Sequence, residues 1–118
     1  MRRTAALQLL SDEEFTIEQV RDECIAIDAL VDVGAYRIHH DHLKAEASRI
    51  RAEARDMLAE VRIRRKEVEA KLGNLGPVEL EQVIATAYHG KRRAETQLKR
   101  TQLSRTEVLK AFRAQSED

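Results

Sequence analysis

The sequence Gly73-Asn74-Leu75-Gly76-Pro77 separates two long helical patterns and predicts a tight turn between them. Glycine adopts the left-handed conformation that ends a helix at little cost, so we expect Gly73 to end the first helix. Proline is favoured in the first helical turn, where its missing N–H leaves no hydrogen bond unmade, so the next helix should begin at Pro77. A turn of this length between helices of similar length places them antiparallel.

Apolar residues recur at alternating intervals of four and three residues on both sides of this turn. Such spacing is typical of long helices that pack along a seam, as in coiled coils. It predicts helices over residues 35–72 and 77–114, with contacting residue numbers that sum to about 150. Gly90 interrupts the second pattern and costs about 1 kcal/mol relative to alanine, so a kink or break is most expected there. The seam positions are Leu43, Ala47, Ile50, Ala54, Met57, Val61, Arg64 and Val68, then Leu80, Ile84, Ala87, Lys91, Ala94, Leu98, Thr101, Arg105, Val108 and Phe112.

The N-terminal third predicts a shorter helix over about residues 12–33, preceded by a tail at residues 1–10. Such a helix covers half of the hairpin, and the chain connection places it against the open end. The predicted fold is therefore all-α, with a single domain over residues 11–118. It is a long antiparallel, coiled-coil-like helical hairpin with a shorter N-terminal helix packed on its open end. The apolar stripe of that first helix consists of Ile17, Val20, Cys24, Ile27 and Val31.

Composition and charge limit the classes of function that fit this chain. Charged residues make up 36% and aromatic residues 3%, a profile of long helices with much surface. The net charge is zero, yet residues 1–34 carry three positive and eight negative charges, and residues 91–118 carry eight and four. An acidic beginning and a basic end favour pairing within the molecule or a bipolar surface. They argue against a protein that coats nucleic acid uniformly.

The sequence offers little that could carry catalysis. His39 and His42 would share one helical face at a spacing that suits a metal ion, but no third ligand follows one turn later, so they are weak candidates. Cys24 is the only cysteine and falls in an apolar stripe, which indicates a buried structural thiol and favours a reducing, cytoplasmic location. No stretch approaches the roughly 20 apolar residues of a membrane span. We expect no enzymatic activity, no cofactor and no metal.

Two clusters of cations lie near the middle of the predicted hairpin. The antiparallel pairing brings them within two helical turns of each other, where they could bind an acidic protein surface or phosphate groups. The alternative is two solvated faces neutralised by nearby glutamates. We name this set the mid-hairpin belt, and it consists of Arg62, Arg64, Arg65, Lys91, Arg92 and Arg93.

Apolar residues at the closed end of the hairpin lie beyond the reach of the predicted first helix. Exposed apolar patches usually mark an interface, so Leu72, Leu75, Val78 and Val83 are the candidate interface residues. The leading prediction is a non-enzymatic interaction or adaptor protein that forms a homodimer or docks on a protein partner. Helical hairpins of this composition include phage and mobile-element accessory factors. The alternative is a nucleic-acid-binding accessory protein that uses the mid-hairpin belt.

Overall fold

The computed structural model of this chain describes residues 2–32 and 41–116. Within these ranges the elements are helical and there is no strand, so the predicted all-α class is confirmed. The molecule is elongated, and its Cα atoms span 63 × 20 × 16 Å. The predicted beginning of the second helix at residue 35 and the metal candidate His39 lie outside the described residues. The elements are α1 (Arg2–Asp32), α2 (Asp41–Lys71), a 3-10 turn (Leu72–Asn74) and α3 (Pro77–Ser116).

Helices α2 and α3 form the predicted antiparallel hairpin. Gln97 Nε2 donates a hydrogen bond of 2.9 Å to Glu53 Oε2 across it, a pair that matches the predicted register. Helix α3 begins at Pro77 as expected, and the Leu80 N–H donates to the Gly76 carbonyl at 3.0 Å. The expected left-handed glycine at the end of α2 is wrong. Gly73 continues into the 3-10 turn without that conformation, because the chain tightens its last turn instead.

Helix α1 begins at Arg2, so the predicted tail at residues 1–10 is wrong. Ala6 and Leu10 are 0% and 1% exposed and continue the apolar stripe of α1 toward its beginning. Their burial stabilises helix over the residues that were predicted to form a tail. The extended helix reaches the closed end of the hairpin, where Arg3 Nη2 donates to the Gly73 carbonyl at 3.4 Å. It therefore covers the whole length of the hairpin and not its open end alone.

Helix α1 is the central element of the bundle. It packs antiparallel along α2 and parallel along α3. The prediction that α2 and α3 pack on each other along their seams holds at only a few positions, because both seams face α1. The small side chains of the hairpin seam allow α1 to lie close to both helices. Its buried contacts on the two hairpin helices include Ala47, Ile50, Ala54, Val61, Ala87 and Ala94.

Helix α3 runs without interruption through Gly90, so the expected weak point carries no break. A methyl group at residue 90 would overlap the carboxylate of Glu13, which lies directly against this glycine. Glycine destabilises a helix relative to alanine, but residue 90 has no room for a Cβ atom, because the Glu13 side chain of α1 occupies that space.

Candidate functional site

A charged layer crosses the apolar core where α1 meets the middle of α2. Glu13 is 2% exposed and occupies a stripe position of α1 between Leu10 and Ile17. Arg64, at a seam position of α2, donates from Nη1 and Nη2 to the two Glu13 oxygens at 3.1 and 2.6 Å. Gly90 of α3 provides the room for the carboxylate. We call this set the Glu13–Arg64–Gly90 layer, and it pairs two charges that would otherwise destabilise the core.

The next two arginines of the predicted belt are also held by α1. Glu14 lies between them and accepts a hydrogen bond of 2.9 Å from Arg62 Nε, and it also pairs with Arg65. Arg62 reaches Glu18 as well, at 3.4 Å. The hydrogen bond to Glu14 raises the pKa of the Arg62 guanidinium above its ordinary value. The α2 half of the mid-hairpin belt therefore faces the acidic side of α1 and is engaged within the molecule.

The α3 half of the mid-hairpin belt is largely free. Lys91 Nζ lies 3.8 Å from Asp12 Oδ2 of α1. Arg92 and Arg93 are exposed, and among the described residues neither guanidinium has a hydrogen-bond or ion-pair partner. The structure therefore divides the six predicted belt residues into a paired group on α2 and an open group on α3. Arg64 and Arg93 still border one recess between the two helices.

Three further cations on α3 lie outside the mid-hairpin belt. Lys99, Lys110 and Arg113 are exposed and, within the described ranges, have no ion-pair partner. They lie about two, five and six helical turns after Arg92. Residues separated by whole turns share one helical face, so this spacing could have indicated the group from the sequence. We call Arg92, Lys99, Lys110 and Arg113 the α3 cationic face.

A groove of about 300 Å³ lies between α2 and α3 in the half of the bundle near the closed end. Leu10 of α1 lies at its base, and the groove continues toward a second recess beside Met57, His89 and Arg93. We call this feature the α2–α3 groove. Its walls include Arg64, Glu67, Val68, Lys71, Glu79 and Val83.

The candidate interface residues are distributed over three environments. Leu75 and Val83 line the α2–α3 groove and are half-buried. Leu72 packs against the core, and Val78 is 72% exposed. The expectation that the closed end lacks a cover is wrong, because α1 reaches it. Val78 and the α2–α3 groove stay accessible there.

The described residues show no side-chain cluster that could hold a metal ion, and the one cysteine is buried. His42 is exposed, and no group of three or more His, Cys, Asp or Glu side chains in these ranges could hold a metal ion. Cys24 is fully buried, and burial, with a further contribution from Asp28, raises its pKa to about 11. Such a thiol stays protonated and shielded at neutral pH. None of the helices in the described ranges is long and apolar enough to cross a membrane.

Comparisons with known proteins do not assign this arrangement to a family. The chain matches no family model, and searches of curated proteins and of solved structures found no significant match.

Proposed function

We propose that this protein is a non-enzymatic helical interaction protein that docks a helix of a protein partner in the α2–α3 groove. One observation carries the proposal: α1 packs along both other helices, while α2 and α3 leave a groove open between them. The three helices occupy positions like those of three neighbouring helices in a four-helix bundle. A helix from a partner would complete the fourth corner, and laying a helix in a groove is a common mode of recognition.

The side chains of the groove indicate the kind of helix that fits. Leu10, Val68 and Val83 provide an apolar base, which favours an apolar stripe on the incoming helix. The walls carry both signs of charge, including Lys71 and Glu79, so the edges of that stripe would carry complementary charges of both signs. The expected partner segment is therefore an amphipathic helix with a narrow apolar face and mixed charge.

A foreign partner fits the groove better than a second copy of the chain. Within the described ranges, the apolar stripe of each helix already faces the bundle core. The large apolar side chains that stay exposed, such as Phe15, Ile63 and Leu103, lie singly on outward faces and form no stripe. The described residues thus offer no helix that could fill the groove of another copy. We propose a cytoplasmic location, because an unpaired cysteine is typical of proteins in a reducing compartment.

The nucleic-acid alternative gains no support from the α2 half of the mid-hairpin belt. Arg62, Arg64 and Arg65 already have carboxylate partners in α1, and releasing them would leave buried glutamates unpaired.

Site-specific cross-linking tests the groove. A photo-reactive phenylalanine analogue would replace Val83 in one variant and Ile63, exposed on the outer side of α2, in the control. We expect a foreign protein to cross-link through residue 83 and not through residue 63. The cross-linked segment, prepared as a synthetic peptide, should gain helical circular dichroism on binding. Its Kd should rise at least about tenfold with Val83→Asp, because a charge would enter the apolar base.

The same experiment identifies the outcomes that contradict the proposal. Cross-links between two copies at residue 83, together with a dimer in sedimentation, would assign the groove to self-association. Equal yields at both positions, or a peptide that binds Val83→Asp and wild type alike, would exclude the groove as the docking site.

A further inference from the structure

The basic residues of α3 are the largest group of charges that the bundle leaves open. Between residues 91 and 113, α3 carries eight cations and two carboxylates, Glu95 and Glu107. Three of the cations contact carboxylates of the other two helices, and five have no ion-pair partner among the described residues. The three contacts are Lys91–Asp12, Arg100–Glu46 and Arg105–Glu23.

Four of the five open cations form the α3 cationic face. Arg92, Lys99, Lys110 and Arg113 follow one another at intervals of 7, 11 and 3 residues, which places them along one side of the helix. At 1.5 Å per residue they extend over about 32 Å. The fifth, Arg93, lies toward α2, where it borders the recess beside Glu60. The cationic face therefore points away from the bundle and is separate from the α2–α3 groove.

We propose that the α3 cationic face binds the phosphate backbone of double-stranded DNA. Its length is close to one turn of B-form DNA, about 34–36 Å, and the duplex presents a negative charge every ~1.7 Å along such a length. Lys99, Gln102, Leu103 and Thr106 border a shallow depression on this face. Amide and hydroxyl groups beside cations are the donors that commonly contact phosphate oxygens.

The composition of the face favours DNA over an acidic protein. Protein interfaces depend on a buried apolar or aromatic anchor at their centre. Leu103, 70% exposed, is the large apolar side chain among these cations, and no second one lies beside it in the described part of the face. Phosphate contacts need no such anchor. Glu95 and Glu107 reduce the positive potential without reversing it.

The aromatic content of α3 favours a duplex over a single strand. Proteins that bind single strands stack successive bases on aromatic side chains. Tyr88 is the exposed aromatic of α3 in the described part of the chain, and it lies at one end of the basic region. A continuous basic helix instead suits the major groove of B-form DNA, which is wide enough to admit one.

Fluorescence anisotropy with a labelled 24-base-pair DNA duplex, titrated at several salt concentrations, tests the proposal. Four phosphate contacts predict a slope of roughly −3.6 for the logarithm of affinity against the logarithm of salt. Arg92→Gln with Lys99→Gln should flatten the slope by about two units and weaken binding roughly 10- to 100-fold at 0.1 M salt. The matched control is Arg55→Gln with Lys66→Gln, the same change of residue types at exposed positions of α2. Circular dichroism should show equal helix content in both variants.

Any one of the following outcomes would overturn the inference. Equal weakening by the two double variants would show a response to net charge and not to this face. Tighter binding to a single strand, or to duplex RNA of the same length, would exclude duplex DNA as the preferred ligand. Competition by poly-glutamate at the same charge concentration as the DNA would assign the face to acidic proteins. Binding of a peptide in the groove is measured separately, so failure of either proposal leaves the other open.

Discussion

Two basic segments that look alike in the sequence have different roles in the bundle. Arg62-Ile63-Arg64-Arg65 of α2 faces α1, which meets its arginines with glutamates. Lys91-Arg92-Arg93 of α3 meets one α1 carboxylate, through Lys91, and its two arginines stay open. The difference arises because α1 turns most of the carboxylates in its first half toward α2. A run of cations can therefore be structural or available for binding, depending on the neighbouring helix.

The largest expected effect comes from removing the carboxylate of the Glu13–Arg64–Gly90 layer. Glu13→Leu leaves the partly buried Arg64 guanidinium without its partner, so we expect the free energy of unfolding to fall by about 3–5 kcal/mol in urea denaturation. The double variant Glu13→Leu with Arg64→Leu should recover most of this loss, since well-packed apolar residues replace a buried ion pair at little cost. Glu60→Leu removes the other carboxylate near Arg64, which is 72% exposed and 3.9 Å from Arg64 Nε, and it should change stability by less than about 0.5 kcal/mol because exposed ion pairs contribute little. A loss below about 1 kcal/mol for Glu13→Leu would contradict a stabilising role for the pair.

A methyl group at Gly90 probes the same layer from α3. Gly90→Ala should displace the Glu13 carboxylate from Arg64 and lower the free energy of unfolding by about 1–3 kcal/mol, despite the better helix propensity of alanine. With Glu13→Ala already present, the space is vacant and the sign should reverse, giving a gain of up to about 1 kcal/mol. Thermal and urea unfolding of the four proteins measures this coupling. The same effect of Gly90→Ala in both backgrounds would show that the two residues are independent.

The two basic segments themselves can be compared by removing charge from each side. Glu14→Gln weakens the contacts to Arg62 and Arg65, and because Glu14 is 8% exposed we expect a loss of about 1–2 kcal/mol. Arg92→Gln with Arg93→Gln should leave the melting temperature unchanged, since these arginines contact no carboxylate in the described structure. Thermal unfolding of both variants, at low salt and at 1 M salt, measures the two effects. Equal destabilisation by the two changes would mean that the α3 arginines are also structural.

At neutral pH the smallest effect on stability is expected in the apolar part of α1, where Cys24 occupies a stripe position. Burial raises the pKa of its thiol to about 11, so the folded protein should react with a disulfide reagent at pH 8 far more slowly than the unfolded chain. The raised pKa of Cys24 also fixes the direction in which stability changes with pH. The folded state keeps the proton longer, so this thiol's contribution to stability is complete below about pH 8.5 and is lost as the pH rises toward 11.

Cys24→Ala should remove that part of the pH dependence, measured as unfolding free energy between pH 8 and 11. Labelling of the native thiol at a rate close to that of the unfolded chain would contradict its burial.

Periodic and local signals made the hairpin predictable. The four-and-three spacing, the turn and Pro77 each act within a few residues, so α2, α3 and their register could be obtained without knowledge of the third helix. The beginning of α1 could not, because Ala6 and Leu10 gain from helix formation only when α2 and α3 cover them. Pairing of Glu14 with Arg62 and Arg65 likewise joins residues that are far apart in the chain. The candidate interface at the closed end of the hairpin stays a prediction, but the reason given for it, an end that α1 does not reach, is wrong.

Helical periodicity and turn chemistry are local properties of the chain, so the amino-acid sequence was enough to establish the all-α class, the antiparallel hairpin and its register. It also determined that strong charges would occupy seam positions, at Arg64 and Arg105. Which of these charges are neutralised became known from the packing of the three helices, because their carboxylate partners come from α1, far away in the chain. For the same reason Gly90, a weak point by helix propensity, became the place where a buried carboxylate fits.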